Sequence, residues 1–255
     1  MLFLKRKKGL IVIQHKHNYN KIDYFDALKL TFYYRIENNK KYFGFIQKDY
    51  YTVNNLLDKS MKELFSKYTS TIKNEIRRSK RENVQIGFIK DIEDFRKFYD
   101  CFANEKGIPK ADEALLNGYQ KNLVITCATF DNKTLSAHAY IIDKQSSIVR
   151  LLYSSSIRFN KDVDLNFISR ANKFLHYKDM EYFKVKGFLT YDFGGYANNT
   201  QEIQTQGINR FKLSFGGEIV RYYDYYSYLS VLSSWVLNLM NSFENKIIKI
   251  IKKIK

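Results

Sequence analysis

The sequence predicts an α+β fold with a mostly antiparallel central sheet and flanking helices. The 255 residues are 45% hydrophobic and 16% aromatic, which is enough apolar material for a sizeable core. From residue 91 onward, the apolar spacing follows the order helix, helix, three strands, helix, strand, helix, strand. Three consecutive strands favour an antiparallel meander, and the helix after them favours a crossover connection.

The first 90 residues predict short strands and helices. Apolar runs at Tyr33–Ile36 and Tyr42–Ile46 mark the early part of this region. Asn54–Arg81 has apolar residues three and four positions apart, which predicts one helix with a strongly basic end. Val84–Ile89 then predicts a strand.

Beyond Asp91, each element follows from periodicity or from a turn signal. The first helix carries Ile92, Phe95 and Phe102 on one face and ends near Gly107. The other predicted elements, in order, are a short helix Ala111–Tyr119, strands Leu123–Phe130, Thr134–Asp143 and Ile148–Ser154, helix Asp164–Tyr177, strand Phe188–Phe193, helix Gln204–Leu213 and strand Gly217–Tyr228.

Charge is distributed unevenly along the chain. The net charge is +17, and residues 1–90 hold 20 Lys/Arg against 8 Asp/Glu. Residues 91–243 are nearly balanced, with 18 against 17, and residues 244–255 hold 5 against 1. The basic excess therefore lies toward the two ends, where an anionic partner can bind.

Cysteine usage and apolar runs predict a cytoplasmic protein. Cys101 and Cys127 belong to no CxxC or Cys/His cluster, so the sequence indicates no zinc site. The apolar run Leu10–Ile13 is too short for a signal peptide, and no uncharged stretch approaches the roughly 20 residues of a membrane-spanning helix.

Three segments of the later chain carry a family likeness: Ser154–Arg158, Ser169–Asp179 continuing to Gly187–Gly195, and Gly207–Gly217. In this order and spacing they resemble the C-terminal GNAT-like domain of the Fem-like family, relatives of peptidoglycan aminoacyltransferases within the GNAT acyltransferase superfamily. The likeness covers about residues 70–225, and Ile76–Val84 is similar to the segment that joins the family's two halves.

The resemblance implies three parts: a basic α/β region at residues 1–90 that is a partial second GNAT-like half, an acyltransferase core at 91–230, and a basic C-terminal helix at 231–255. It implies transfer of an acyl or aminoacyl group to an amine, on an amino sugar or an envelope polysaccharide precursor that is small or lipid-linked. The donor is acyl-CoA or, alternatively, aminoacyl-tRNA. Arg158–Leu165 lacks the glycines that ordinary acetyltransferases carry before the crossover helix.

His138 and Asp192 are the candidate catalytic residues. Alternation along the strand puts His138 on a polar face with Ser136 and Tyr140, and histidine is a natural base near neutral pH. Asp192 ends a strand just before two glycines, where a carboxylate can orient an amine or bind a sugar hydroxyl. The structural alternatives are a hydrogen-bonded histidine and a strand-end cap.

Phosphate and acceptor binding have their own candidates. Arg158 and Arg170 flank the start of the crossover helix, and arginine binds phosphate bidentately. Asn172 and His176 form a polar seam on that helix, and Lys212 is a candidate for facing the acceptor. The alternatives are solvated surface side chains and a purely structural seam.

In the GNAT scaffold, the backbone of two splayed central strands holds the acyl donor. The resemblance therefore implies donor contacts at Ser154 and Ser156, at the end of the third meander strand. No metal is expected in this chemistry.

Residues 236–255 combine an apolar stripe with lysines at helical spacing. Such a basic amphipathic helix can lie on an anionic membrane surface, which would suit a lipid-linked acceptor. The alternative is a helix packed on its own protein or on a second copy.

A different class of function is a nucleic-acid-binding protein. The basic N-terminal third interleaves Tyr and Phe with Lys, and such rings can stack on bases. No helix-turn-helix, RRM or zinc-finger pattern accompanies it. The sequence therefore favours the acyltransferase.

Overall fold

A computed structural model describes residues 1–8, 11–159 and 163–235 of the chain. The chain forms two compact units. The first comprises Met1–Tyr50 and the chain from Tyr222 onward, and the second comprises Tyr51–Arg221. Residues 228–235 are helical, whereas the predicted membrane-binding segment 236–255 lies outside the described residues.

The strands are β1 Leu2–Lys8, β2 Ile11–His17, β3 Leu30–Ile36, β4 Phe45–Leu56, β5 Gln85–Phe88, β6 Leu123–Phe130, β7 Lys133–Asp143, β8 Ile148–Ser156, β9 Thr190–Gly195 and β10 Glu218–Ser227. The α-helices with both ends described are α1 Met61–Lys67, α2 Ser70–Arg81, α3 Ile92–Lys106, α4 Glu113–Gly118, α5 Leu165–Val185 and α6 Ile203–Leu213.

The second unit is built on a mixed sheet in the order β4-β9-β8-β7-β6-β5. Its described neighbours pair antiparallel, except that β8 and β9 run parallel. Parallel neighbours need a long crossover connection, and α5 supplies it between β8 and β9. The predicted meander followed by a crossover helix is therefore confirmed.

Helices cover both faces of this sheet. On one face, aromatic residues of α3 pack against Ala137 and Ala139 of β7. On the other face, α2 and α5 form a larger core through residues such as Ile76, Phe174 and Leu175. Because successive side chains of a strand point to opposite faces, His138 is directed toward α5.

The predicted helix Asn54–Arg81 is instead the end of β4 followed by α1 and α2. Each helix has its own N-cap: Ser60 forms a capping box with Glu63, and Thr69 accepts from the Ile72 amide. Both helices bury residues in the same core, so the apolar spacing continues across the break.

The compact units also differ from the predicted division at residue 90. Residues 51–90 belong to the second unit, because β5 pairs with β6 and α2 packs into the same core as α5. The second unit ends at Arg221, within β10, rather than at residue 230.

The first unit has the strand order β1-β2-β3-β10, with β2 and β3 parallel. Asp26, which is 1% exposed, accepts from Lys16 at 2.5 Å, from the Tyr33 hydroxyl at 2.5 Å and from Lys29 at 3.0 Å. Burial opposes ionisation, but the hydrogen bonds from Lys16, Tyr33 and Lys29 outweigh it and hold the pKa of Asp26 below its usual value.

We expect Asp26→Asn to lower the free energy of unfolding by roughly 2 kcal/mol near pH 7, because hydrogen bonds to a charged group are lost. A carboxyl group whose pKa is lower in the folded state stabilises the fold at pH values above its unfolded pKa. The stability difference between Asp26→Asn and the wild type should therefore disappear as the pH falls below about 4. Urea unfolding measures both effects. Lys29→Met is the control and should cost less than about 1 kcal/mol, because Lys29 is half exposed. Equal stability of Asp26→Asn and the wild type at pH 7 would contradict the assignment.

Candidate active site

A cavity of about 800 Å³ lies in the second unit where β8 and β9 separate. The two strands pair only over Ile148–Arg150 and Thr190–Asp192. Beyond these residues, the cavity walls come from the end of β8, Phe193 of β9, α5 and α6, with the end of α3 at one side. This is the splay in which the GNAT-like scaffold is expected to hold its acyl donor.

Gly194 allows β9 to turn away from β8. Its φ of +75° is in the left-handed region, which glycine adopts without steric cost. A Cβ at this position would also stand 3.2 Å from the Leu151 carbonyl oxygen, closer than an ordinary contact. The Gly194 amide donates to Asp192 Oδ1 at 2.7 Å, which anchors the turn on the preceding strand.

Lys212 projects from α6 into the cavity wall. Its ammonium donates to the Gly194 carbonyl at 3.2 Å and to the Gly195 carbonyl. Burial lowers the pKa of Lys212 to about 8, although the charge of Asp192 acts in the opposite direction. Near neutral pH, Lys212 is therefore a mostly protonated, poorly solvated cation at the splay.

Two further cations line the cavity near the end of β8. Arg158 follows β8 and Lys106 ends α3. Burial lowers the pKa of the Lys106 ammonium, and the nearby charge of Arg158 lowers it further. Both side chains are exposed, and together they make this side of the cavity positively charged, which favours the approach of an anion.

Behind the cavity lies a buried polar network. His138 Nδ1 is 2.8 Å from Asp179 Oδ2, and the Tyr140 hydroxyl donates to the same oxygen at 2.6 Å. Tyr140 and Tyr191 are joined hydroxyl to hydroxyl at 2.7 Å, and His176 Nδ1 is 2.7 Å from the Tyr191 hydroxyl. Buried polar networks of this kind rigidify a core when their members are hydrogen-bonded.

Six of the nine predicted site residues line this cavity: Ser154, Ser156, Arg158, Asn172, His176 and Lys212. They come from β8 and its following turn, from α5 and from α6. The structure therefore brings the predicted donor-binding and acceptor-binding residues to one place.

Three predicted residues lie elsewhere. His138 is fully buried, and its Nε2 is 2.9 Å from the Asn172 side chain, so Asn172 stands between it and the cavity. Arg170 forms a bidentate ion pair with Glu82 rather than facing a phosphate site. Asp192 is 2% exposed and is engaged within the protein, as described next.

Asp192 lies at the last position where β9 pairs with β8. It accepts from Arg150 Nε at 2.9 Å and from the Thr52 hydroxyl, and it does not line the cavity. Its position fits an indirect role, in which the negative charge of Asp192 raises the pKa of Lys212. Direct contact with an acceptor is not supported by this placement.

Sequence reasoning missed Lys106, Tyr140 and Tyr191 as site residues. Tyr140 lies on the same strand face as His138, so the alternation of side chains along this strand could have predicted that the two lie together. Lys106 ends a helix distant in sequence from every other cavity residue, and no local pattern distinguishes it from a solvated lysine.

One group among the described residues could place three ligand atoms around a metal ion: His138, His176 and Asp179. These three side chains form hydrogen bonds to each other or to Tyr140, Tyr191 and Asn172, at 2.6–3.0 Å. These distances describe a hydrogen-bond network, and we assign no metal to it. The expectation of metal-free chemistry stays a prediction.

The same fold occurs in solved structures of known proteins. FemX superposes with a TM-score of 0.66 at 13% identity, covering 92% of this chain and 86% of FemX. The C-terminal domain of a putative lysylphosphatidylglycerol synthetase from Agrobacterium fabrum gives 0.59 at 11% identity, covering 92% and 85%. L-PGS from Bacillus licheniformis gives 0.57 at 13% identity, covering 88% and 80%.

No protein-family model and no curated protein matches the chain. The structural likeness confirms the predicted α+β, GNAT-like fold and confirms the Fem-like resemblance at the level of fold. Within the described part of the chain, no helix is both long enough and apolar enough to cross a membrane.

We expect Asp192→Asn to lower the free energy of unfolding by about 3 kcal/mol, because the change leaves the buried Arg150 guanidinium facing a neutral amide. Chemical denaturation measures the change. Glu93→Gln is the matched control, since it breaks a partly exposed ion pair with Arg96 and should cost less than about 1 kcal/mol. An Asp192→Asn protein as stable as the wild type would show that the pair is not structural.

Proposed function

We propose that the second unit is an acyltransferase that moves an acyl or aminoacyl group to an amine within the cavity at the β8–β9 splay. The observation that carries the proposal is the position of Lys212. A partly buried cation stands at the point where two central strands diverge, beside a cavity large enough for the acyl end of a donor and an acceptor.

Lys212 has the properties needed to stabilise charge in acyl transfer. Attack on a thioester or ester carbonyl places negative charge on its oxygen, and a fixed cation in a poorly solvated site lowers the energy of that state. With a pKa of about 8, Lys212 is mostly charged near neutral pH. Hydrogen bonds to the Gly194 and Gly195 carbonyls hold its ammonium group in place. The ammonium therefore needs to move little when the oxyanion forms.

The donor in this proposal is an acyl-CoA, and aminoacyl-tRNA is the alternative. Both present an acyl group attached to a phosphate-bearing carrier, and Arg158 with Lys106 supplies the cations for such phosphates. Ser154 and Ser156 line the cavity on the same side, at the end of β8. Arg158 and Lys106 can bind the phosphates of either carrier, so they do not favour CoA over tRNA.

The proposed acceptor is an amine on an amino sugar or an envelope polysaccharide precursor, either small or lipid-linked. One protein with the same fold is named as a lysylphosphatidylglycerol synthetase, which is consistent with lipid acceptors on this scaffold. The sequence-based expectation that residues 236–255 bind an anionic membrane would serve such an acceptor, and it stays a prediction.

Donor binding is tested by thermal shift with CoA, acetyl-CoA, longer acyl-CoAs, aminoacyl-tRNA and plain RNA. A ligand that binds only the folded chain raises the midpoint. We expect a shift with acyl-CoA, weakened about tenfold in affinity by Arg158→Met, because a charge-assisted contact to phosphate is lost. Arg210→Met, an exposed arginine of α6 outside the cavity, is the control. A shift with aminoacyl-tRNA alone would select the alternative donor, and equal shifts with plain RNA would favour the nucleic-acid-binding hypothesis.

We expect Lys212→Met to lower turnover by about 100-fold, the usual loss when one donor to an oxyanion is removed. Wild-type turnover should fall as pH rises through about 8, because the required form of Lys212 is the protonated one. Steady-state rates over a pH series measure both effects, with Lys110→Met, an exposed lysine, as the control. A profile that stays flat above pH 8 would remove Lys212 from this role.

A further inference from the structure

We propose that His176 is the general base that takes the proton from the acceptor amine, and that Asp179, Tyr140 and Tyr191 position it by fixing its tautomer. The inference rests on the proposed transfer reaction. Both histidines are almost fully buried, at 0% exposure for His138 and 1% for His176. The inference assigns the proton-accepting step to His176 because it lines the cavity, whereas His138 does not.

The direction of the hydrogen bonds follows from counting hydrogens. The Tyr140 hydroxyl lies 2.6 Å from Asp179 Oδ2 and 3.0 Å from His138 Nδ1. His138 Nδ1 also faces the Asp179 carboxylate at 2.8 Å, so it carries a hydrogen and cannot accept one, and the single hydrogen of Tyr140 goes to Asp179. In the 2.7 Å contact between the two phenols, Tyr191 must therefore be the donor. Its hydrogen is then used, so in the 2.7 Å contact with His176 the imidazole Nδ1 must donate. His176 thus carries its hydrogen on Nδ1.

This count requires that both phenols keep their hydrogens. Burial raises the pKa of Tyr140 and Tyr191 well above the usual value, and the charge of Asp179 raises both further. Both hydroxyls are therefore neutral across the physiological range, and the chain of donors runs from His176 to Asp179.

The other ring nitrogen is left for the cavity. His176 lines the cavity wall, while its Nδ1 is directed inward to Tyr191. No described residue makes a hydrogen bond to Nε2. Burial holds the pKa of His176 well below its usual value, and the charges of His138 and Lys212 lower it further. His176 is therefore neutral before the amine attacks, and its unprotonated Nε2 is the ring nitrogen left for the cavity.

His138 is less suited to this step. Its Nδ1 is 2.8 Å from Asp179, and its Nε2 is 2.9 Å from the Asn172 side chain, so both ring nitrogens are engaged inside the protein. Its ring packs 4.0 Å, centroid to centroid, from the ring of His176. His138 therefore supports the network from behind.

The proton balance is as follows. The neutral amine attacks the donor carbonyl, a C–N bond forms, and Lys212 faces the developing oxyanion. The nitrogen then loses a proton to His176 Nε2. As the carbonyl reforms, the bond to the thiolate or ribose oxygen breaks, and that leaving group takes the proton from Nε2. The products are the amide and the free thiol or hydroxyl, and His176 returns to its neutral form.

The positioning part is tested without any substrate, by long-range ¹H–¹⁵N NMR of the full chain labelled at its four histidines. His176→Gln identifies the resonances of His176. We expect the Nδ1–H tautomer in the wild type, and a population shifted toward Nε2–H in Tyr191→Phe, where the acceptor is lost. Tyr177→Phe is the matched control, since Tyr177 lies on α5 among aromatic rings and outside this chain of donors. An Nε2–H tautomer in the wild type would overturn the inference.

The catalytic part uses the donor that supports turnover in the wild type. We expect His176→Gln to lower kcat about 100-fold with donor KM within about twofold, and Tyr191→Phe to lower kcat about tenfold. An unchanged kcat in a folded His176→Gln protein would overturn the catalytic role. Absence of turnover with every donor would count against the proposed function, whereas the tautomer measurement would still decide the positioning.

Discussion

The ion pair between Arg150 and Asp192 lies at the last position where β8 and β9 are joined. Both residues are buried, so their ion pair is shielded from water. The same carboxylate accepts from the Gly194 amide, whose left-handed conformation turns β9 away from β8. One buried interaction therefore ends the parallel pairing and begins the splay, and the cavity occupies the space that the diverging strands leave.

The electrostatics of the cavity depend on this arrangement. Lys212 is held by the carbonyls of Gly194 and Gly195, the residues that follow the turn. Its pKa is lowered by burial and partly restored by Asp192. His176 faces the same cavity with a pKa lowered by burial, and the charge of Lys212 acts in the same direction. Burial lowers the pKa of both side chains, but the pKa of lysine starts from a much higher value than that of histidine. Near neutral pH, Lys212 is therefore charged while His176 is neutral.

Fold and chemistry are supported by different observations. The likeness to FemX, to the C-terminal domain of a putative lysylphosphatidylglycerol synthetase and to L-PGS shows a shared fold at 11–13% identity. A fold of this kind hosts more than one reaction, so the proposed transfer is argued from Lys212, His176 and the paired cations Arg158 and Lys106. In the proposal, Lys212 stabilises the oxyanion, His176 takes the proton, and Arg158 with Lys106 binds the phosphate of the carrier.

Local sequence determined a large part of this structure. Alternating apolar residues predicted the strands of the meander, and three-four spacing predicted α3 and α5, because these periods follow from backbone geometry alone. Helical spacing did not reveal the break between α1 and α2, since both helices bury the same face and only the N-cap at Thr69 separates them. Six of the residues singled out in these motifs line one cavity, although their roles stay predictions.

Tertiary structure alone decided what those residues contact. The sequence pointed to His138 as the base and to His176 only as part of a polar seam. Both rings are buried in the structure, but His176 lines the cavity and His138 does not. The partners of Asp192 and Arg170 come from β8 and from the residue that follows α2, which are distant in sequence. Spacing along one element determines which side chains share a face, whereas hydrogen-bond partners and pKa shifts depend on atoms that folding brings together from separate segments.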